Sequence, residues 1–376
     1  MSTTWLPVNG DDLLLMDKAV AFLQGEFCPA DADPVWSVEY FRWKLGSDNP
    51  AGAGYVALAI LDDKVVGIVS LTRKRLLVNG KAVTGGEVGD TYSSARVRRG
   101  AQPTTLSTLD PAPASFVNRS IFGRLASDVR ARAEADGIRV IYGTPNSNAY
   151  PGWTKRLGYF DFQAYDNRSF SRPTWRMFIK RYPGFALARH VIQAGDKALI
   201  SIHAALCRIV NRSLTFELQP PGEEEIEALW RRIQPLSGFS LVRDGIYWRH
   251  RYLLHPLARY ELFGVRRQGL LVGIVAIRLA DIAGGKPVLS IVEWMSEKDI
   301  HFSYFLTQIL DACKSWEVDT FNFWTNAAGQ EATAARQSLF VKRGRVPIIF
   351  ADTVDGCEIG AMKDAVYFYL GSADAV

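Results

Sequence analysis

Polar and apolar positions follow two different periods along this chain. From 121 to 135, Ile121, Leu125 and Val129, with Phe122 and Ala126 beside them, recur at helical spacing. Arg124, Arg130 and Arg132 fall on the other faces. Ser120 offers a hydroxyl to the open N–H groups of the first turn, and Asp136-Gly137 closes the helix, Gly taking the left-handed cap most cheaply. The run IRVIYG (138–143) predicts a short buried strand, and Thr144-Pro145-Asn146 stops it because Pro cannot continue a ladder. Upstream, residues 54–92 alternate with period two and turn at Asp62-Asp63 and Asn79-Gly80, which predicts a meander of hairpins with VVGIVSL (65–71) as a central strand. Two helices precede it. One spans 11–27 with Leu14, Leu15, Ala19, Phe22 and Leu23 as its stripe, and an aromatic-rich one spans 34–45.

This order of elements returns. Tyr40-Phe41-Arg42-Trp43-Lys44 corresponds to Tyr247-Trp248-Arg249-His250-Arg251, Gly67 to Gly273, Glu87 to Glu293 and Asn146 to Asn326. KRLGY (155–159) has an echo in LFVKRG (339–344). Self-similarity of this kind fixes the architecture as two copies of one α+β unit, 1–170 and 216–376. A basic segment, 171–215, joins them. The copies differ after the shared glutamate. In the first, a Thr-, Ser- and Pro-rich insertion (97–117) separates Glu87 from Ile121. In the second, a helix beginning near His301 or Phe302 follows almost at once, behind the acidic SEKDI (296–300).

Composition narrows the class. The 376 residues are 48% hydrophobic and 22% charged, which is ample core material for two soluble domains. The net charge of +5 suits acidic small molecules. None of the five His forms an i, i+4 pair, and Cys28, Cys207, Cys313 and Cys357 are far apart, so no metal and no disulfide framework is expected. The start lacks a signal-peptide pattern and no apolar run is long enough to span a membrane, which predicts a cytoplasmic protein. Between 168 and 212 nine Arg and Lys stand against the single acid Asp196, on a stretch (187–211) with helical apolar spacing. Such a helix lies either on an anionic membrane or against its own domains, and the sequence favours a connector.

The order strand, loop, helix, strand, PN, then a helix ending in KRLGY resembles the core of the GNAT acyl-CoA N-acyltransferases. The likeness is greatest to tandem-GNAT enzymes that acylate amino groups, including amino sugars on nucleotides. It implies two tandem GNAT-like units, each a mixed, mostly antiparallel twisted sheet flanked by helices, with the second copy degenerate. It also implies acyl-CoA as co-substrate, bound by the first copy alone. Backbone groups of Val88, Gly89, Thr91 and Tyr92 would hold the pantetheine arm and polarise the thioester. The diphosphate would sit at the helix start, near Asn118, Arg119, Ser120, Ile121 and Gly123, where the family's glycine pattern would otherwise stand. Asn146 would point into the cleft, with turn formation as its alternative role.

The amine needs a base, and Asp90 and Glu87 are the candidates. Three residues apart on a strand, they face opposite sides unless a bulge intervenes; the resemblance implies that this strand splays from 138–143, and Asp90, nearer the splayed end, is preferred. A tyrosine usually protonates the leaving thiolate in this family. The matching position holds Thr154, and Tyr150 lies one turn earlier. The acceptor implied is a primary amine, plausibly a nucleotide-linked amino sugar, with no nucleic-acid partner. The rivals are a tRNA-dependent aminoacyl or peptidoglycan-type transferase and a non-catalytic protein that kept the fold.

Overall fold

The computed structural model describes residues 3–7, 13–27, 36–94, 120–162, 166–235, 238–282, 286–352 and 366–367. The insertion 97–117, Asn118, Arg119, Cys28 and Cys357 lie outside the described residues. Strands of the first half are β1 (Thr3–Trp5), β2 (Tyr55–Leu61), β3 (Lys64–Val78), β4 (Lys81–Ser93), β5 (Val140–Gly143), β6 (Phe160–Asp161), β7 (Asn167–Pro173) and β8 (Leu214–Glu217). Those that follow are β9 (Phe239–Leu241), β10 (Tyr260–Arg267), β11 (Leu270–Ile282), β12 (Lys286–Ser296), β13 (Thr320–Asn326), β14 (Val341–Arg345), β15 (Ile349–Asp352) and β16 (Val366–Tyr367). The helices are α1 (Leu13–Phe27), α2 (Val38–Leu45), α3 (Ile121–Ala135), α4 (Trp175–Arg181), α5 (Arg189–Val210), α6 (Glu223–Ile233), α7 (Phe302–Ala312) and α8 (Gln330–Gln337).

Two mixed sheets form. The first runs β1-β2-β3-β4-β5-β15-β6, with β9 on the far end of β3 and β16 on β9. The second runs β14-β7-β13-β12-β11-β10-β8. Along each main path the strands are antiparallel except at one central step, β4 with β5 and β12 with β13, and β16 joins β9 in parallel at the margin of the first sheet. This is the α+β tandem architecture expected from the repeat.

Strand exchange ties the halves together. β15, late in the chain, lies between β5 and β6, and β7, from before the basic segment, lies between β13 and β14. A cut at 170 or 216 would therefore take β9, β15 and β16 from the first sheet and part or all of β7 from the second. Sequence periodicity has no access to this, because an exchanged strand has the same alternation as one that stays home.

The helix that frames the site forms for the reasons its sequence gives. The Ser120 hydroxyl accepts from Gly123 N at 3.2 Å, and Leu125, Ala126, Val129 and Ala133 are buried against the sheet. α3 can lie this close because β3 carries Gly67, where an added Cβ would stand 2.5 Å from Ile121 Cγ2. The second copy repeats the device: a Cβ on Gly273 would stand 2.5 Å from Phe305 Cζ. Gly67→Ala is expected to cost about 1–3 kcal/mol by overpacking, read as a lower urea midpoint at unchanged slope. An unchanged midpoint would mean that α3 shifts freely, against this account.

Three details differ from the sequence expectation. α1 buries Met16, Ala19, Val20 and Leu23, an i, i+3, i+4, i+7 set, and leaves Leu14 exposed. α2 starts at Val38 instead of 34, because Ser37 takes the N-cap and accepts from Tyr40 N. The third concerns register. Gly67 pairs with Ser93 and Gly273 with Ser296, and counting back along β4 and β12 places Glu293 at the level of Asp90, not Glu87. The β3–β4 hairpin runs further before it turns than the β11–β12 hairpin, so a constant sequence offset misassigns the residues beyond the turn.

Candidate active site

β4 and β5 pair at only three positions, Gly85–Val140, Gly86–Ile141 and Glu87–Tyr142. Beyond them β4 stays with β3, while β5, paired along its other edge with β15, ends at Gly143. From Val88 onward, the edge of β4 that faced β5 carries backbone groups the ladder does not use, and such groups need a partner. Gly143 lets the two strands stay close where they part. A Cβ on Gly143 would meet Val88 Cγ2 at 2.7 Å.

A bulge sits beside the opening. Tyr92 pairs with Ile68 and Gly89 with Ser70, so β4 carries one extra residue there. Asp90 takes it up with φ of 42°. The bulge cancels the alternation, and Glu87 and Asp90 share one face: Asp90 bonds Ser70 and Glu87 pairs with Lys74, residues on one side of β3.

The two carboxylates are held differently. Asp90 forms an ion pair with Lys44 at 2.9 Å, both side chains under a tenth exposed. It also accepts from Ser70 Oγ at 2.6 Å and Trp36 Nε1 at 3.2 Å. A Cβ on Gly89 would crowd this pair, 3.2 Å from Lys44 Nζ. Glu87, also buried, has Lys74 Nζ at 3.2 Å and the Tyr142 hydroxyl at 3.5 Å. Lys44 and Lys74 line a cleft whose near floor is Thr72 and whose far wall is Tyr247, His250 and Arg251 of the second copy. Trp43 stacks on His250 across this boundary, ring centroids 5.0 Å apart. The lining has four other basic side chains, Arg73, Arg75, His250 and Arg251, and no acid, so the cleft surface itself is basic.

The remaining expected residues are scattered. Thr91 donates its hydroxyl to Gly89 O at 3.2 Å, on the bulge itself. Tyr92 packs on Phe22, away from the cleft. Ser120, Ile121 and Gly123 form the first turn of α3. Tyr150 donates to Asp161 Oδ2 at 2.7 Å, and Arg345 grips the same carboxylate twice, at 2.6 and 2.7 Å. That hydrogen bond, then burial, raises the Tyr150 hydroxyl above its ordinary range. Thr154 donates to Tyr150 O. Asn146 is exposed and its Oδ1 accepts from Asn148 N and Ala149 N at 3.0 and 2.9 Å, the turn-forming role. Asn326 does the same with Ala328 N. Sequence reasoning missed Lys44, Lys74, Trp36 and Tyr142. Lys44 was hidden in an aromatic stripe, and nothing local marks the others.

The second copy shows the same split closed. β12 and β13 pair from Val288–Thr320 to Ser290–Asn322 and then part. Trp294, Phe302 and Phe323 occupy the gap, with centroids 4.2, 5.2 and 6.0 Å apart. By register Trp294 stands where the first copy has Thr91, and Phe323 where it has Gly143. At the level of Asp90, Glu293 is fully buried with Arg243 at 2.5 Å and bonds from the hydroxyls of Tyr247, at 2.8 Å, and Tyr252. Burial first, then the Glu293 charge, pushes both phenols well above their usual range.

No protein-family model and no curated protein matches the chain. Solved structures do. A probable N-acyltransferase from Enterococcus faecalis aligns with TM-score 0.56 at 12% identity, over 94% of this chain and 73% of that one. Saccharomyces cerevisiae N-myristoyltransferase with bound myristoyl-CoA gives 0.56 at 13%, over 93% and 82%. A GCN5-related N-acetyltransferase from Anabaena variabilis gives 0.56 at 12%, over 94% and 73%. The chain has the GCN5-related N-acyltransferase fold, in two tandem units.

Proposed function

We propose that the protein is an N-acyltransferase that moves an acyl group from acyl-CoA to a primary amine, with all of the chemistry in the first copy. The observation that carries this reading is the contrast between the two splits. One has Thr91 and Gly143 beside a strand bulge; the other has Trp294 and Phe323 at the same levels, packed with Phe302. A packing role alone gives no reason for the first copy to keep small residues there. The neighbouring N-myristoyltransferase was solved with myristoyl-CoA, which supports a coenzyme A-linked donor in this fold.

In this reading the β4 edge from Val88 to Thr91 offers backbone N–H groups to the pantetheine amides and thioester carbonyl, where charge develops. The first turn of α3, with Ser120 and Gly123, faces the diphosphate with the positive end of the helix, and Asn118 and Arg119 directly precede it. Glu87 takes the proton of the attacking amine, directly or through a water. Asp90 is the lesser candidate, because Lys44, Ser70 and Trp36 already occupy its oxygens. Solvent protonates the leaving thiolate, since the Tyr150 hydroxyl is committed to Asp161. The basic cleft between the copies suits an acceptor that carries acidic groups beside its amine, and a nucleotide-linked amino sugar fits that description.

Titration calorimetry with coenzyme A and acetyl-CoA tests the reading. One saturable site is expected. Thr91→Trp, which copies the second split, is expected to abolish binding while leaving the unfolding midpoint in place, because Thr91 is half-exposed. A folded protein that binds neither molecule would sink the proposal and favour the non-catalytic alternative. Binding untouched by Thr91→Trp would move the cofactor elsewhere.

A further inference from the structure

α5 faces solvent with the wrong side of an ordinary amphipathic helix. Its inner side is held by α7: Ile200 and Ala204 are buried, Gln308 donates to Ala204 O, and Arg208 and Ser201 both bond Asp311. On the opposite side Val191, Leu199, Ile202, Leu206, Ile209 and Val210 are all exposed, Val210 at 82%. At 100° per residue these positions fall within one arc, which they share with Ile192 and Gly195. Just before the helix, Phe178, Tyr182 and Phe185 form an exposed aromatic cluster with centroids 5.1 and 5.6 Å from Phe178, and Leu187 is fully exposed. An apolar face of this extent on a helix surface is a docking site, not ordinary scatter.

The charges around it say what docks. Asp196 is the only acid between 167 and 216, and it points inward to Arg172 at 2.6 Å. Arg181, Arg189, Lys197 and Arg212 have no acidic partner among the described residues. A cleft opens between α4 and α5, walled by Arg176, Lys180, Arg189, His190, Lys197 and Lys314. Glu317 is its one acid, already paired with Arg176 at 3.1 Å. No described helix is long and apolar enough to cross a membrane.

We infer that α4 and α5 dock the protein on an anionic lipid surface. The Val191–Val210 face and the Phe178–Phe185 aromatics enter the acyl boundary. The basic cleft beside them takes phosphate-bearing headgroups. A helix that lies in the interface needs this combination of a long apolar face, flanking cations and aromatic residues at the rim. A protein partner would need none of the one-sided charge. The inference is independent of the acyltransferase reading.

Flotation of the full-length protein with vesicles tests it, using phosphatidylcholine alone and phosphatidylcholine mixed with phosphatidylglycerol. Binding is expected to the mixed vesicles and weakly or not at all to the neutral ones. The exposed-face variant I202D/L206D is expected to lose about tenfold or more of that binding with an unchanged circular dichroism melt. R189E/K197E is expected to lose the preference for phosphatidylglycerol. Failure of the wild type to float, or equal flotation of I202D/L206D, would overturn the inference. So would a solution dimer that I202D/L206D dissociates without any vesicle binding, which would assign the face to a second copy of the chain.

Discussion

Glu87→Gln is expected to lower kcat for N-acylation by about 100- to 10,000-fold, the usual contribution of a positioned general base. Coenzyme A affinity should not change, because the side chain lies on the cleft face of β4 and not on the edge offered to the cofactor. The amide preserves volume and one hydrogen-bond acceptor, so Lys74 and Tyr142 keep a neighbour. Release of free thiol from acetyl-CoA in the presence of an accepted amine gives the rate. Asp90→Asn is the informative control. It removes the charge that Lys44 faces inside the protein, and a buried cation left unpaired is costly. Its damage should therefore appear first in stability and only then in turnover. Should Glu87→Gln retain full kcat while Asp90→Asn, still folded, loses it, the base assignment is reversed. No thiol release from the wild type with any amine is a different result, and it tests the acyltransferase reading itself.

Glu293→Ala is expected to remove about 3–5 kcal/mol of stability, the range for breaking a buried pair by deleting one partner. Domains commonly have about 5–15 kcal/mol in all, so this change alone brings the protein near its threshold. The cause is local. Arg243, whose side chain is 4% exposed, would keep its charge with no carboxylate beside it, and the Tyr247 and Tyr252 hydroxyls would lose their acceptor. Glu293→Gln should cost less, since an amide oxygen still accepts from one phenol. Urea denaturation followed by tryptophan fluorescence measures both, and Trp248 and Trp294 report directly on this half. A loss below about 1 kcal/mol for the alanine variant would show that the pair is no better than a surface one. Coenzyme A binding by the folded fraction should survive, because the second copy's split is already filled.

Much of the site was legible at the level of local elements. The helix cap at Ser120 and the strand ending at Gly143 are decided by neighbours in sequence. The splay of β4 from β5 came from the family resemblance, while the residues themselves supplied the strand stop at Pro145. The bulge at Asp90 was not. It depends on where β3 and β4 pair, and that in turn depends on the length of a hairpin turn some residues away. The same distant cause moved Glu293 from the level of Glu87 to that of Asp90.

What the sequence determined by itself was the repeat, the α+β class and the position of each periodic helix and strand, since these rest on spacing and short-range sterics. The tertiary structure alone decided the partners: β15 and β7 exchanged between sheets, Lys44 brought from α2 to Asp90, and Trp294, Phe302 and Phe323 gathered into one cluster in the second copy. It also decided which face of α5 meets solvent. Helical spacing fixes that a helix has an apolar side, but the packing of α7 under Ile200 and Ala204 fixes that most of that side points outward.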